Sequence, residues 1–155
     1  MKKLFTFLAT GAYAGYSPYA PGTAGTLWGA AIVFLTASWP LYAKAAIMAA
    51  SFAISAIAAG EAAKSSAEKD PAWIVCDEIC GFLVAFFLMP FTAFNLILVF
   101  ILFRFFDIVK PYPINIIDER LDGGIGITLD DVLAGVYANI AAHIIITVLN
   151  RYWVQ

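Results

Sequence analysis

Long apolar runs separated by short polar breaks dominate the sequence. Pro40, Pro90 and Pro111 stand in three of the breaks, and proline rarely continues a helix because it lacks the amide hydrogen. The pattern predicts five apolar helical segments, near residues 27–39, 41–63, 73–89, 91–108 and 129–149. Each is close to, or slightly below, the roughly 20 residues that a helix needs to cross a bilayer. None has the polar stripe of a helix that faces water.

Composition favours a membrane protein over a water-soluble domain. The 155 residues are 63% hydrophobic and 13% charged, whereas soluble domains are about 25% charged. The net charge of −2 and the lack of a basic stripe argue against a nucleic-acid partner. We expect an all-α, polytopic membrane helical bundle of about four to five short helices, forming a single integral-membrane domain over residues 1–155.

The N-terminal stretch MKKLFTFLATGAYAGYSPYA combines two lysines with a short apolar run, as a secretory signal peptide does. Gly11 and Gly15 interrupt the run, however, and the residues after it are typical of a functional loop rather than a cleavage site. We therefore expect an interfacial or re-entrant segment here, with a signal peptide as the alternative.

Alternating helix directions would gather most charged residues at one membrane face. If the five segments alternate, the turns at 38–42 and 90–91 lie on the opposite face. The residues brought together are Asp77, Glu78, Arg104, Asp107, Lys110, Asp130 and Asp131. The positive-inside rule predicts that this face is cytoplasmic, because Lys44 and Arg151 are the basic residues left opposite, apart from Lys2 and Lys3 if the N-terminal stretch spans.

Two adjacent acidic pairs, Asp77–Glu78 and Asp130–Asp131, stand in apolar surroundings. Capping of a helix N-terminus would explain one carboxylate of each pair. It does not explain two, because a charge at membrane depth costs several kcal/mol unless it is compensated. A hard divalent cation such as Mg²⁺ would relieve the repulsion between the four carboxylates. Whether one ion or two bind is left open by the sequence.

Basic residues and glycines near the same face favour an anionic ligand. Arg104, Asp107 and Lys110 are spaced to share one helix face, which suits a phosphate beside a metal, although an internal ion pair is an equal alternative. The stretch SPYAPGTAGTLWG (17–29) offers Gly22, Thr23 and Gly25 just before a predicted helix. Glycine-rich helix starts bind phosphate through backbone N–H groups. An ordinary turn is the alternative.

Other polar residues have simpler interpretations. Cys76 and Cys80 have a spacing that fits neither a redox pair nor a zinc site, so we expect small core residues. His143 lies in the middle of the last segment, and we expect it to pack between helices, away from the carboxylates. Thr128, after the glycines of DGGIGIT (122–128), is the expected N-cap of the last helix.

The motifs together resemble the phosphatidylglycerophosphatase A family. The resemblance covers about residues 13–142 and rests on three runs: the Asp–Glu pair of IVCDEICGF, the R-x-x-D-x-x-K-P-x-P run from Arg104, and the G-G-x-G-I-x-x-D-D run from Gly123. Members of this family are membrane-embedded, Mg²⁺-dependent phosphatases of bacterial phospholipid synthesis. The resemblance therefore implies hydrolysis of phosphatidylglycerophosphate to phosphatidylglycerol, in the bacterial inner membrane.

The resemblance and the residues together suggest specific roles. Metal ligands are Asp77, Glu78, Asp130 and Asp131; catalytic residues are Asp77, Glu78, Asp107 and Asp131; and the substrate phosphate is bound by Gly22, Thr23, Gly25, Arg104 and Lys110. Mg²⁺ is the expected cofactor, and a phospholipid and the bilayer are the expected partners. A water activated by the ion is the expected nucleophile, with an aspartyl-phosphate intermediate as the rival.

Three other functions compete with this interpretation. A carboxylate-based ion or proton transporter predicts acidic residues near helix centres and on both sides of the membrane. A CDP-alcohol phosphotransferase would need a D-G-x2-A-R…G…D-x3-D pattern, which the sequence lacks. An assembly factor without chemistry would leave the interfacial carboxylates unexplained.

Overall fold

The computed structural model describes residues 2–64, 66 and 68–153. This part of the chain forms seven α-helices and no strand, so the prediction of an all-α protein is confirmed. The helices are α1 (Lys2–Ala9), α2 (Pro21–Leu35), α3 (Leu41–Ala63), α4 (Cys76–Phe86), α5 (Ala93–Val109), α6 (Ile114–Arg120) and α7 (Gly123–Trp153). A single 3-10 turn, Ala14–Tyr16, lies between α1 and α2.

Prolines and a side-chain cap delimit the central helices. Helix α3 has the predicted bounds and follows Pro40, which takes its N-cap position in an extended conformation. Helix α5 is capped by Thr92, whose side chain accepts a hydrogen bond from the Asn95 amide. The Asn95 side chain donates in turn to the Pro90 carbonyl at 2.9 Å. These polar contacts hold the turn between α4 and α5.

The stretch over residues 110–128, which lies between the fourth and fifth predicted segments, is largely helical. It contains α6, and α7 begins at Gly123, six residues before the predicted start. Thr128 is therefore not an N-cap: its hydroxyl donates to the Gly124 carbonyl and shares a 2.8 Å hydrogen bond with Ser55 of α3. A side chain on Gly124 would overlap the Ala56 carbonyl. Close approach to α3 thus outweighs the low helix propensity of glycine.

Helix α7 lies at the centre of the bundle. It runs parallel to α4, and a Cβ added to Gly81 of α4 would lie 2.6 Å from the Asp131 carbonyl oxygen. At the other end of α4, the Asn139 side chain donates to the carbonyls of Ala85 and Phe87. Small residues at the crossing let the two backbones approach, as is common in membrane helix pairs. The long helix α7 thereby holds the short helix α4 in place.

The N-terminal segment enters and leaves the bundle at the same end. Lys2 borders a cavity with Glu61 and Trp73, and after α1 the chain turns back so that Tyr16 lies beside the same tryptophan, with ring centroids 6.3 Å apart. At the tip of this loop, the Ala9 carbonyl accepts a hydrogen bond from the Val75 amide at 2.8 Å. This path is the one expected of an interfacial or re-entrant segment.

Apolar stripes face outward from the long helices. On α5 the exposed residues Phe94, Ile97, Ile101, Phe105 and Ile108 recur every three or four positions. Such a stripe would be costly in water and is typical of a helix that faces lipid. Helices α3 and α7 are long and apolar enough to cross a bilayer over Leu41–Ala63 and Gly123–Tyr152. The protein is accordingly a helical membrane protein.

Candidate active site

Three carboxylates from two helices meet near one end of the bundle. Asp77 and Glu78 lie in the first turn of α4, and Asp131 lies in the third turn of α7. One carboxylate oxygen from each residue lies within 4.8 Å of the others. Asp77 and Asp131 are 5% and 4% exposed. We call these three residues the acidic triad.

Asp130 is oriented differently from its neighbour in the triad. Its Oδ2 accepts a hydrogen bond from the Lys110 ammonium at 2.6 Å. Lys110 follows the last residue of α5 in a left-handed conformation, and this brings its side chain back over α7. Of the four predicted metal ligands, the structure therefore places three in one cluster and the fourth in an ion pair.

Arg104 lies beside the acidic triad on α5. Its guanidinium donates to Asp107, one helical turn later, and lies 3.8 Å from Glu78 Oε1. Its Nε is buried without a hydrogen-bond partner among the described residues. Two carboxylates thus hold the guanidinium in place, and the buried Nε–H is free to donate to a ligand.

The glycine-rich stretch lies inside helix α2 rather than before it. Pro21 occupies the first turn, as is usual at helix starts. A side chain on Gly22 would overlap Glu78 Oε1 and lie 3.0 Å from both terminal nitrogens of Arg104. Gly25 packs against Val75 and the Cβ of Glu78, and Thr23 is partly buried in the same first turn. The missing side chain of Gly22 thus lets the helix start approach the acidic triad.

The donor set fits a hard divalent cation. Glu78 Oε2, Asp130 Oδ1 and Asp131 Oδ2 are buried without a hydrogen-bond partner in the described part of the chain. Buried carboxylate oxygens are rarely left unpaired. Carboxylate oxygen is the ligand that Mg²⁺ and Ca²⁺ prefer, so a cation would satisfy these atoms and offset the repulsion within the triad.

Asp118 shares the Lys110 ammonium with Asp130. Nothing in the sequence around Asp118 predicted this contact. The Lys110 ammonium donates to Asp118 at 2.8 Å as well as to Asp130. Burial lowers the pKa of Lys110, but the hydrogen bonds to the two carboxylates outweigh it and raise the pKa above its ordinary value. Lys69 donates to the backbone carbonyls of Asp118 and Glu119. These hydrogen bonds connect the loop before α4 to helix α6.

The remaining polar residues lie away from the site. Cys76 and Cys80 are buried and unbridged, and both belong to the core as predicted. His143 is exposed on α7, so the expected packing between helices is wrong. Its position, three turns beyond Asp131, still separates it from the carboxylates.

The sequence is similar to those of several known proteins. The sequence model of the phosphatidylglycerophosphatase A family matches residues 7–146. A Bacteroides thetaiotaomicron protein, named as a candidate phosphatidylinositol-3-phosphatase, is 37% identical over 84% of this chain and 86% of its own. The phosphatidylglycerophosphatase A of Haemophilus influenzae is 35% identical over 94% of this chain and 88% of its own. That of Escherichia coli is 31% identical over 88% of this chain and 80% of its own. No solved structure shows a significant match to the chain.

Proposed function

The chain belongs to the phosphatidylglycerophosphatase A family and is a phosphatase, and we propose that it hydrolyses phosphatidylglycerophosphate to phosphatidylglycerol and phosphate with the help of Mg²⁺. The observation that carries this proposal is the clustering of Asp77, Glu78 and Asp131 beside Arg104. A cation site next to a free guanidinium donor suits a phosphomonoester. The lipid-facing stripe of α5 suits a substrate with acyl chains.

The acidic triad is the proposed Mg²⁺ site. Asp77, Glu78 and Asp131 would supply carboxylate oxygens, whereas Asp130 stays in its ion pair with Lys110. When bound, Mg²⁺ supplies Lewis-acid stabilisation of the phosphate charge and lowers the pKa of an attacking water. In the proposed reaction a carboxylate of the triad would take a proton from the attacking water as the bond between phosphorus and the glycerol oxygen breaks. The leaving glycerol oxygen would take up a proton, from that carboxylic acid or from solvent, to become the hydroxyl of the product.

Arg104 and the start of α2 would bind the phosphate. Arg104 has an unpaired Nε, and Asp107 holds the guanidinium in place. The first turn of α2 has amide N–H groups without helical acceptors, at Gly22 and Thr23. Gly22 lies next to both Glu78 and the Arg104 guanidinium, so these donors would share the three non-bridging oxygens of the phosphate. We assign Asp107 to orienting Arg104 rather than to binding the metal.

Lys110 has a positioning role in this proposal. Because it is already bonded to Asp130 and Asp118, its charge balances these carboxylates and holds Asp130 away from the triad. It would still add positive potential beside a bound phosphate. This role replaces the direct phosphate contact that the sequence suggested.

We propose a multi-pass arrangement in the bacterial inner membrane with the acidic triad facing the cytoplasm. The turn between α2 and α3 and the turn between α4 and α5 line one cavity, so they lie at the same end. The acidic triad lies at the other end of α4. Lys64, Lys69 and Arg120 are on the triad's side, and the positive-inside rule places that side in the cytoplasm.

A carboxylate-based transporter fits the structure less well. Proton and ion carriers need acidic residues that connect both sides of the membrane. All 11 acidic residues of this chain lie between Glu61 and Asp131. Those that the structure places inside helices of the bundle lie toward one end, which favours chemistry at one membrane surface.

Phosphate release from a panel of lipids tests the proposal. Protein purified in a neutral detergent would be given phosphatidylglycerophosphate, phosphatidylinositol-3-phosphate or phosphatidic acid, with Mg²⁺ or with EDTA. We expect the highest kcat/KM for phosphatidylglycerophosphate and no turnover with EDTA until Mg²⁺ is restored. Preference for phosphatidylinositol-3-phosphate would overturn the substrate assignment, and full activity in EDTA would overturn the metal assignment. Rapid-quench trapping of a phosphoenzyme would overturn direct attack by water.

A further inference from the structure

The cavity lined by the turn between α2 and α3 and by the turn between α4 and α5 lies at the end of the bundle opposite the acidic triad. It has a volume of about 270 Å³ and is formed where α2 and α4 end and α3 and α5 begin. Its walls are mainly apolar, and the residues that define it include Val33, Ile47, Met48, Leu83, Phe86 and Phe91. A cavity of this size and lining accepts part of an acyl chain.

One charged residue, Lys44, lines this cavity. Its ammonium donates to the Ala37 carbonyl at 2.7 Å, just beyond the end of α2. This contact uses one of three N–H donors. No ion pair within 4.0 Å joins Lys44 to a carboxylate of the described residues. The acidic side chains stand in the last turns of α3 and α5, the first turn of α4, helix α6, the start of α7 and the connections at that end of the bundle, so none of the described Asp and Glu residues lies at the end of Lys44.

The surroundings of Lys44 indicate a membrane surface. Trp39 and Tyr42, in the turn beside it, are 49% and 79% exposed. Tryptophan and tyrosine are enriched where membrane proteins meet lipid headgroups. A partly buried ammonium at that level, next to an apolar cavity, complements an anionic headgroup that carries acyl chains.

We propose that this cavity binds one anionic phospholipid, from the leaflet opposite the acidic triad. An acyl chain occupies the apolar walls, and the lipid phosphate accepts hydrogen bonds from the Lys44 ammonium. The inference rests on the multi-pass arrangement proposed above but not on the substrate of the acidic site. The bound lipid would brace the turns that close the far ends of α2 and α4.

Lipid titration of charge variants tests this proposal. Thermal unfolding would be followed in a neutral detergent at increasing phosphatidylglycerol or phosphatidylcholine, for the wild type, Lys44→Gln and Lys44→Arg. Glutamine can still donate to the Ala37 carbonyl, so it removes the charge while keeping that hydrogen bond. Arg151→Gln is the matched control, because Arg151 is an exposed basic residue in the last turn of α7. The acidic site is the same in every variant, so lipid binding there is common to all.

We expect phosphatidylglycerol to bind Lys44→Gln roughly tenfold more weakly than the wild type, since a hydrogen bond to a charged group is lost. Lys44→Arg and Arg151→Gln should bind as the wild type does, and phosphatidylcholine should not distinguish the variants. Met48→Trp, which fills the cavity and keeps the charge, should also bind more weakly. Equal phosphatidylglycerol affinity of the wild type and Lys44→Gln would overturn the proposal. Stabilisation of the wild type by inorganic phosphate alone, to the same extent, would overturn the lipid as occupant.

Discussion

Asp130 and Asp131 are adjacent in the sequence but have different partners. Asp130 accepts a 2.6 Å hydrogen bond from Lys110 of the α5 terminus, whereas Asp131 belongs to the cluster with Asp77 and Glu78 of α4. Neighbouring side chains of a helix point about 100° apart, so two adjacent carboxylates can contact two different sets of residues. The acidic pair therefore combines an ion pair with a proposed metal ligand.

Asp131→Asn should abolish turnover while the protein stays folded. The amide has nearly the same shape as the carboxylate but lacks the negative charge that a cation requires. We expect kcat to fall by more than the roughly 10- to 100-fold that loss of an outer partner of a metal ligand costs, with little change in Tm. His143→Ala, on an exposed position of the same helix, is the control and should keep full activity. Loss of activity in that variant would mean that the site has been misplaced.

Mg²⁺ should stabilise the wild type against thermal unfolding. A cation that binds only the folded state adds about 2.7 kcal/mol at a concentration 100 times its dissociation constant. We expect Mg²⁺ to raise Tm for the wild type and to have no such effect on Asp77→Asn. Asp122→Asn is the control, since that side chain is 85% exposed and pairs with Lys69. An equal shift in Asp77→Asn would show that the ion binds elsewhere.

Gly22→Ala should impair catalysis more than folding. The added methyl group would overlap Glu78 Oε1 and crowd the Arg104 guanidinium, so both side chains must shift. A displacement of about 1 Å in an active site costs on the order of 100-fold in rate. Gly135→Ala is the contrasting variant, because its methyl group would overlap the Gly81 carbonyl at the crossing of α4 and α7. It should lower Tm first, and measuring both kcat and Tm separates the two effects.

Lys110→Met should destabilise the protein through the carboxylates that it leaves unpaired. Asp130 is 2% exposed, and removing one partner of a buried ion pair typically costs about 3 kcal/mol or more. The double variant Lys110→Met with Asp130→Asn should recover part of this loss, because the unpaired charge is then gone. A double-mutant cycle of unfolding free energies measures the coupling. Strictly additive effects would contradict the ion pair.

Much of the site could be predicted from residue order alone. The proline positions and the apolar runs placed α3 at its observed bounds. Alternating helices then brought residues from α4, α5 and α7 to one end, where the structure has Arg104 near Glu78 and Lys110 bonded to Asp130. Hydrophobic periodicity and charge were sufficient to predict this clustering, because helices connected by short turns run antiparallel and bring alternate helix ends together.

Other features depended on contacts between distant residues. Helix α7 begins at Gly123 because Gly124 meets Ala56 and Thr128 meets Ser55, and local propensity carries no information about such partners. The ammonium of Lys110 reaches both Asp118 and Asp130 because α6 packs against α7.

The amino-acid sequence by itself determined the membrane class, most of the long helical segments and the gathering of acidic residues at one end. These follow from hydrophobic run length and from the alternation of helix direction. Only the tertiary structure decided which carboxylates share a cluster and which form ion pairs. That choice depends on the rotation of each helix about its axis, and close backbone contacts at small residues such as Gly81 set the rotation.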